Sequence, residues 1–154
     1  MMDGRYPAES ADSLFGMARE LMASGKGLDA VRCAEKAVEL APDNPAYVSL
    51  LGLLIARERG QLKRGLELAH QAVERGERDP DLCLNLASIY VKAERRDEAV
   101  RWIDAGLERA PAHEGLRDTR KKLGVRRPPV LRFLPRNHPV NKMLGLMARR
   151  LRLR

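Results

Sequence analysis

Apolar residues between residues 11 and 113 recur at spacings of three and four along the chain. This period places them on one face of an α-helix, whereas a half-buried strand would alternate apolar and polar residues. The pattern runs in six stretches of about 14 residues each, and short turns join them in pairs. It therefore predicts an all-α chain built from helical hairpins.

Turn and capping residues stand between the predicted helices. Asn44–Pro45 and Asp79–Pro80 each place a good N-cap before a proline in the first helical position. Gly25 and Gly60 interrupt the pattern where the two helices of a hairpin must be joined. These signals predict that new hairpins begin near residues 45 and 80.

The hairpins repeat as three segments, residues 11–44, 45–79 and 80–113, of 34, 35 and 34 residues. In the first, the recurring large, small and proline positions are Leu14, Met17, Ala18, Leu21, Ala30, Ala34, Ala37 and Pro42. In the third they are Cys83, Leu86, Ala87, Tyr90, Ala99, Ile103, Gly106 and Pro111. The middle segment lacks the closing proline and needs one extra residue in its turn, and its matching positions are Val48, Leu51, Gly52, Ile55, Gly65, Ala69 and Ala72.

Residues 11–113 resemble the tetratricopeptide repeat (TPR) family, and the chain as a whole resembles small bacterial TPR proteins. The resemblance implies a helical-hairpin solenoid wound as a right-handed superhelix. Elementary packing agrees, because one hairpin cannot bury its own apolar face and the three must stack. Residues 114–123 predict a seventh helix that caps the open end of a TPR domain spanning residues 11–123, after an N-terminal segment of residues 1–10.

Composition supports this class of fold. The chain is 44% hydrophobic but only 4% aromatic, a balance that favours helices over sheet. Its apolar runs are too short to span a bilayer, and residues 1–10 lack the apolar core of a signal peptide. Cys33 and Cys83 are widely spaced, so we expect reduced thiols and a cytoplasmic location, with peripheral attachment to the inner face of the membrane as a variant.

In a TPR stack the first helix of each repeat lines the concave face, so the resemblance implies a peptide-binding groove. Its predicted residues are Phe15, Arg19, Met22, Ser49, Leu50, Leu53, Arg57, Leu84, Asn85, Ser88, Val91 and Lys92. The alternative for each of them is packing against a neighbouring helix. Three cations, Arg19, Arg57 and Lys92, favour an apolar peptide with some acidic character.

The chain departs from the carboxylate clamp with which some TPR proteins hold the carboxy terminus of heat-shock chaperones. Phe15 and Arg19 stand where that clamp has Lys and Asn, and Leu50 replaces its second Asn. Asp81 and Asn85 replace its Lys and Arg. Because an aspartate repels a carboxylate, we do not expect chaperone tails to bind.

Residue patterns typical of catalysis are missing. His70, His113 and His138 lack metal-ligand spacing, and the sequence contains neither a glycine-rich phosphate loop nor a GxSxG motif. We therefore predict a protein that is not an enzyme and that needs no metal or cofactor.

The basic residues are concentrated in the last part of the chain. Residues 1–113 hold 16 Lys and Arg against 19 Asp and Glu, whereas residues 114–154 hold 13 against two, a net charge of +11. Residues 124–138 are rich in proline and predict an extended segment whose apolar residues, Val130, Leu131, Phe133 and Leu134, dock on protein. Residues 139–154 predict a basic amphipathic helix.

Three roles for the basic helix stay open: packing on the solenoid or on a second copy in a homo-oligomer, lying on an anionic membrane surface, and contacting nucleic acid or another polyanion. The residues that would meet an anionic partner are Arg149, Arg150, Arg152 and Arg154. The sequence thus favours a non-enzymatic adaptor or scaffold that binds a protein or peptide segment in its groove. The alternative is a peripheral membrane- or nucleic-acid-associated protein anchored by its tail.

Overall fold

The computed structural model describes residues 10–124 together with Pro139 and Met143. Residues 1–9 of the predicted N-terminal segment, the apolar residues at 130–134 and the arginines at 149, 150, 152 and 154 lie outside the described residues. The chain divides into two compact units, Met1–Leu123 and Gly124–Arg154. In the second unit Pro139 and Met143 are helical, and the Met143 side chain is exposed.

Residues 10–124 form seven α-helices and contain no strand. Their bounds are α1 Ala11–Ala23, α2 Gly27–Leu40, α3 Pro45–Glu58, α4 Leu62–Arg75, α5 Pro80–Lys92, α6 Arg96–Arg109 and α7 Glu114–Leu123. Helices α1 and α2, α3 and α4, and α5 and α6 pack as hairpins, and each hairpin also contacts the next. Among the described helices none is both long enough and apolar enough to cross a membrane.

The predicted caps begin α3 and α5. Asn44 Oδ1 accepts from the Ala46 N–H at 3.0 Å, and Asp79 Oδ1 accepts from the Asp81 N–H at 2.9 Å. Proline occupies the first turn of both helices. A side-chain oxygen thereby satisfies an amide that the helix leaves without a partner, which confirms the predicted starts of both helices.

The small residues of the repeat lie where the two helices of a hairpin meet. Ala18 and Ala30 are fully buried between α1 and α2, and Ala87 and Ala99 occupy the equivalent places between α5 and α6. The large repeat positions Ile55, Leu86 and Ile103 are buried around them. One core cluster joins α3 and α4 to α5, α6 and α7, and a second joins α1 and α2 to α3.

Met17 departs from the repeat pattern. Its equivalents Leu51 and Leu86 are buried, but 42% of Met17 is exposed. Leu51 lies in the cluster that α3 shares with the preceding hairpin. Among the described residues no hairpin precedes α1, so Met17 has no such neighbour to cover it.

The inner turns of the hairpins use the left-handed backbone region. Gly25 and Gly60 have φ values of 78° and 69°, and Glu94 takes the equivalent place in the third hairpin at 58°. A residue with a Cβ is disfavoured there.

We expect Glu94→Gly to stabilise the chain by about 0.5–1 kcal/mol in chemical denaturation. Glycine relieves the backbone strain at this position, and this gain exceeds the cost of the larger conformational entropy that glycine gives the unfolded chain. Glu108→Gly, inside α6, should lower stability by about 1 kcal/mol, and a loss of stability at both positions would contradict the strain argument.

His70 of α4 contacts both helices of the third hairpin. Its Nε2 lies 2.7 Å from Tyr90 Oη, and its ring stands edge-on to the rings of Tyr90 and Trp102. Burial lowers the pKa of His70; nearby Arg95 also lowers it, whereas Glu74 raises it. The folded chain therefore prefers the neutral imidazole more strongly than the unfolded chain does.

This preference predicts a pH effect on stability. A histidine whose pKa is lowered on folding stabilises fully above its unfolded pKa of about 6.5 and loses that contribution as the pH falls below it. Between pH 7.5 and 5 the wild type should therefore lose more stability than His70→Gln, measured by urea denaturation. His113→Gln is the comparison variant, and an equal loss in the wild type and His70→Gln would contradict the assignment.

Candidate peptide-binding groove

A groove of about 550 Å³ lies between the first helices of the three hairpins. Helix α1 contributes Phe15, Arg19 and Met22, which share a face because they are spaced at i, i+4 and i+7. The remaining lining residues come from α3, α5 and the turn before α5: Pro45, Ala46, Leu50, Gly76, Asp79, Asp81, Leu82, Leu84 and Asn85. The wall is mainly apolar, with a few polar groups placed along it, as in many ligand sites.

Packing fixes the apolar wall. Phe15 stacks at a tilt on Tyr47, with 5.0 Å between ring centroids, and Tyr47 in turn bonds to Asp12 through its hydroxyl. Leu82 is buried, and a Cβ placed on Gly76 would lie 2.2 Å from its Cδ1. Gly76 thus leaves the space that Leu82 fills, and the wall is held by neighbouring elements before any ligand arrives.

The polar groups are held as well. Asn85 Nδ2 donates to Ser49 Oγ at 3.0 Å. The amide oxygen of Asn85 takes no part in this bond and can accept a hydrogen bond from a ligand. His113 Nε2 lies 3.0 Å from Asp81 Oδ1. The Arg19 guanidinium sits 5.9 Å from the centroid of the Phe15 ring, in range of a cation–π contact.

Six of the twelve predicted groove residues line this cavity together: Phe15, Arg19, Met22, Leu50, Leu84 and Asn85. Ser49 and Leu53 do not line this cavity: Ser49 is fully buried, and Leu53 lies in the core cluster that joins α3 and α4 to the last hairpin. Ser49 serves the site indirectly, by holding Asn85.

The other four predicted residues lie outside the cavity. Arg57 and Lys92 are exposed, and Arg57 Nε lies 3.3 Å from Glu58 Oε1. Val91 is exposed, and Ser88 Oγ donates to the Leu84 carbonyl of its own helix at 2.8 Å. Of the three predicted cations, only Arg19 lines this cavity.

Helical periodicity in the sequence did not indicate the groove residues at the start of α3 and α5. Pro45, Ala46, Gly76, Asp79 and Leu82 line the cavity, and so does Asp81, which the sequence marked only as a departure from the clamp. The N-cap–proline pairs were a usable signal, because they place these residues at neighbouring helix starts. The predicted groove residues of α3 and α5 lie instead in the interior and at the far ends of these helices.

No group of three or more His, Cys, Asp or Glu side chains that could hold a metal ion occurs within the described part of the chain. Cys83 is buried, and burial raises the pKa of its thiol. A thiol with a raised pKa is a poor nucleophile at neutral pH. Cys83 lies in the core cluster, where it acts as a small apolar packing residue.

The tetratricopeptide repeat family model matches residues 56–123. The TPR domain of Sgt2 from Aspergillus fumigatus is similar in structure, with a TM-score of 0.63, 18% identity, and coverage of 73% of this chain and 76% of that one. The first TPR domain of Spaghetti (RPAP3), bound to an HSP90 peptide, is similar with a TM-score of 0.62, 16% identity, and coverage of 75% and 91%.

A mutant of the O-GlcNAc transferase of Thermobaculum terrenum is also similar, with a TM-score of 0.61 and 26% identity. That match covers 73% of this chain but only 21% of the transferase. A search of functionally curated proteins gave no match. The repeat pattern, the stacked hairpins, the family model and the structural neighbours agree: residues 56–123 match the tetratricopeptide repeat family, and residues 10–124 have the all-α helical-hairpin solenoid fold of TPR domains.

Proposed function

We propose that this protein is a non-enzymatic adaptor that binds a peptide or protein segment in the groove between α1, α3 and α5. The observation that carries the proposal is the cavity of about 550 Å³, which is lined by apolar side chains from all three hairpins and has a few charged and amide groups. An extended peptide offers side chains to such a wall and backbone groups to a polar side chain such as Asn85.

The similar RPAP3 domain supports this choice of ligand, because it is bound to a peptide. The rigidity of the wall supports it further. Phe15, Leu82 and Asn85 are each held by contacts of the folded chain, so a ligand need not order them on binding.

Filling the groove should weaken binding of peptides whatever their charge. Ala46 lines the groove near the start of α3 and is half-buried. The probes are peptides that bind the wild type, selected from an array of random 12-residue sequences. We expect Ala46→Trp to weaken their binding by about tenfold or more, because the indole occupies the groove. Fluorescence anisotropy measures the affinity, and thermal melting checks the fold.

The matched control is Ala23→Trp, which makes the same change at an exposed residue of α1 outside the groove. It should leave the affinity within twofold of the wild type. If both variants bind the selected peptides as well as the wild type does, the groove is not the binding site.

We propose as a second function that the tail contacts an anionic membrane surface or another polyanion. The observation that favours it is the net charge of +11 over residues 114–154. We expect changing Arg149, Arg150 and Arg152 to Ser to abolish binding to vesicles that contain anionic lipid. Wild-type binding should weaken steeply between about 50 and 200 mM salt, as screening of exposed charges requires.

The control removes the same charge from exposed arginines of the described helices, Arg32, Arg64 and Arg101, by the same change to Ser. Vesicle flotation should show binding by the wild type and the control and none by the tail variant. Equal losses in both variants would assign the binding to general positive charge rather than to the tail.

A further inference from the structure

We infer that the groove selects a segment in which a lysine or arginine stands beside apolar residues, and that it discriminates against acidic segments. The inference rests on the proposed function, since it names the chemistry of the peptide that the groove would bind. Its basis is the net charge of the groups that line the cavity, which is negative, whereas the net charge of the whole chain is positive.

In the part of the chain that the structure describes, two carboxylates and one guanidinium line the groove, those of Asp79, Asp81 and Arg19. Both carboxylates lie at the start of α5, whereas the guanidinium is carried by α1. The start of α5 also carries the partial positive charge of a helix N-terminus, about half an elementary charge. Two full negative charges exceed it, so this end of the groove remains negative.

The contact with His113 leaves the charge of Asp81 in place. His113 Nδ1 accepts from the Leu116 N–H at 3.2 Å, so this nitrogen presents a lone pair and the ring proton is on Nε2. That proton is then donated to Asp81 Oδ1 at 3.0 Å. A neutral imidazole orients the carboxylate without cancelling its charge.

The carboxylate of Asp81 is open to an incoming ligand. Its side chain is 81% exposed, although the next residue, Leu82, is buried in the apolar wall. A ligand that packs against the apolar wall formed by Leu50, Leu82 and Leu84 would therefore also lie close to a negative charge at the same end of the groove. The complementary group is an ammonium or a guanidinium.

Two described cations that were expected to favour an acidic ligand lie outside the cavity. Arg57 and Lys92 do not line the cavity, and Arg57 is paired with Glu58. Among the described residues, the guanidinium of Arg19 and the two carboxylates give the lining a net charge of −1. An acidic segment would meet more repulsion than attraction in this cavity.

Three labelled peptides of equal length test the inference on the full chain. Each is acetylated and amidated and has the same leucine and phenylalanine positions, and the polar positions are all Arg, all Gln or all Glu. We expect fluorescence anisotropy at about 50 mM salt to show the Arg peptide binding about tenfold more tightly than the Glu peptide, and this difference should shrink at 500 mM. The chain has a net charge of +8, so non-specific attraction would produce the opposite order.

A double substitution, Asp79→Asn with Asp81→Asn, isolates the carboxylates. Asparagine is as good an N-cap as aspartate, and its carbonyl oxygen can still accept from His113, so the fold should be kept. The groove then changes from one net negative charge to one net positive charge. We expect the Arg peptide to lose about tenfold in affinity and the Glu peptide to gain.

The matched control is Asp43→Asn with Asp97→Asn, which makes the same change of net charge at two exposed residues outside the groove. It should keep the wild-type order of affinities. The inference is overturned if the Glu peptide binds the wild type best, or if the groove variant and the control give the same order; groove binding of peptides would then still stand. If none of the three peptides binds the wild type, both the inference and the proposed function fail.

Discussion

Leu116→Ala should lower the free energy of unfolding by about 2–5 kcal/mol, the range for truncating a buried leucine. Leu116 is fully buried although it belongs to α7, beyond the three hairpins. Its Cδ1 lies only 2.6 Å from where a Cβ on Gly106 would stand, and it shares a core cluster with Cys83, Leu86 and Ile103. Truncation therefore leaves a cavity between α7 and the last hairpin.

Urea denaturation measures this loss, and Leu28→Ala is its control. Leu28 is exposed on α2, so its truncation should change stability by no more than about 0.5 kcal/mol. A loss below about 1 kcal/mol at Leu116 would mean that α7 does not pack on the last hairpin as the structure shows.

Gly65→Ala should destabilise the chain by about 1–3 kcal/mol, although alanine is the better helix former. A Cβ at Gly65 would lie 2.6 Å from the Gly52 carbonyl oxygen and 2.7 Å from Ala56 Cβ, and a Cβ at Gly52 would lie 2.8 Å from the Gly65 carbonyl oxygen. The two obstacles that a Cβ at Gly65 meets, the Gly52 carbonyl oxygen and Ala56 Cβ, cannot swing aside as the far end of a flexible side chain can. Helices α3 and α4 would have to separate.

Gly16→Ala makes the same substitution where a Cβ meets nothing within 4 Å, inside α1. There the helix propensity acts alone, and we expect a gain of about 0.5–1 kcal/mol. The two variants should thus shift the midpoint of urea denaturation in opposite directions. A gain at both glycines would contradict the close approach of α3 and α4.

The sequence predicted the hairpins because the signals that define them are local. The N-caps at Asn44 and Asp79 and the small residues at Ala18 and Ala87 act through their own helix or hairpin, and the structure confirms them. Met17 shows the limit of this reasoning. It occupies the same repeat position as Leu51 and Leu86, yet it is exposed, because burial there depends on a preceding hairpin rather than on the helix itself.

The groove was harder to predict because its walls come from distant segments. Phe15, Arg19 and Met22 share a face of one helix, so helical spacing was enough to group them. The spacing of apolar residues in α3 does not show whether Leu50 or Leu53 faces the groove, because this depends on how α3 packs against its neighbours. The charge of the site depends on Asp79 and Asp81 meeting Arg19 across the fold, and only the tertiary structure brings them together.

The central claim, that a peptide binds between α1, α3 and α5, is tested most directly by titrating the ¹⁵N-labelled chain with the Arg peptide and following the backbone amide resonances. We predict saturable shifts concentrated at residues of the groove, such as Phe15, Arg19, Leu84 and Asn85. Amides on the second helices α2, α4 and α6 should move little. Shifts that concentrate on those second helices, or that leave the groove residues unchanged at saturation, would contradict the account.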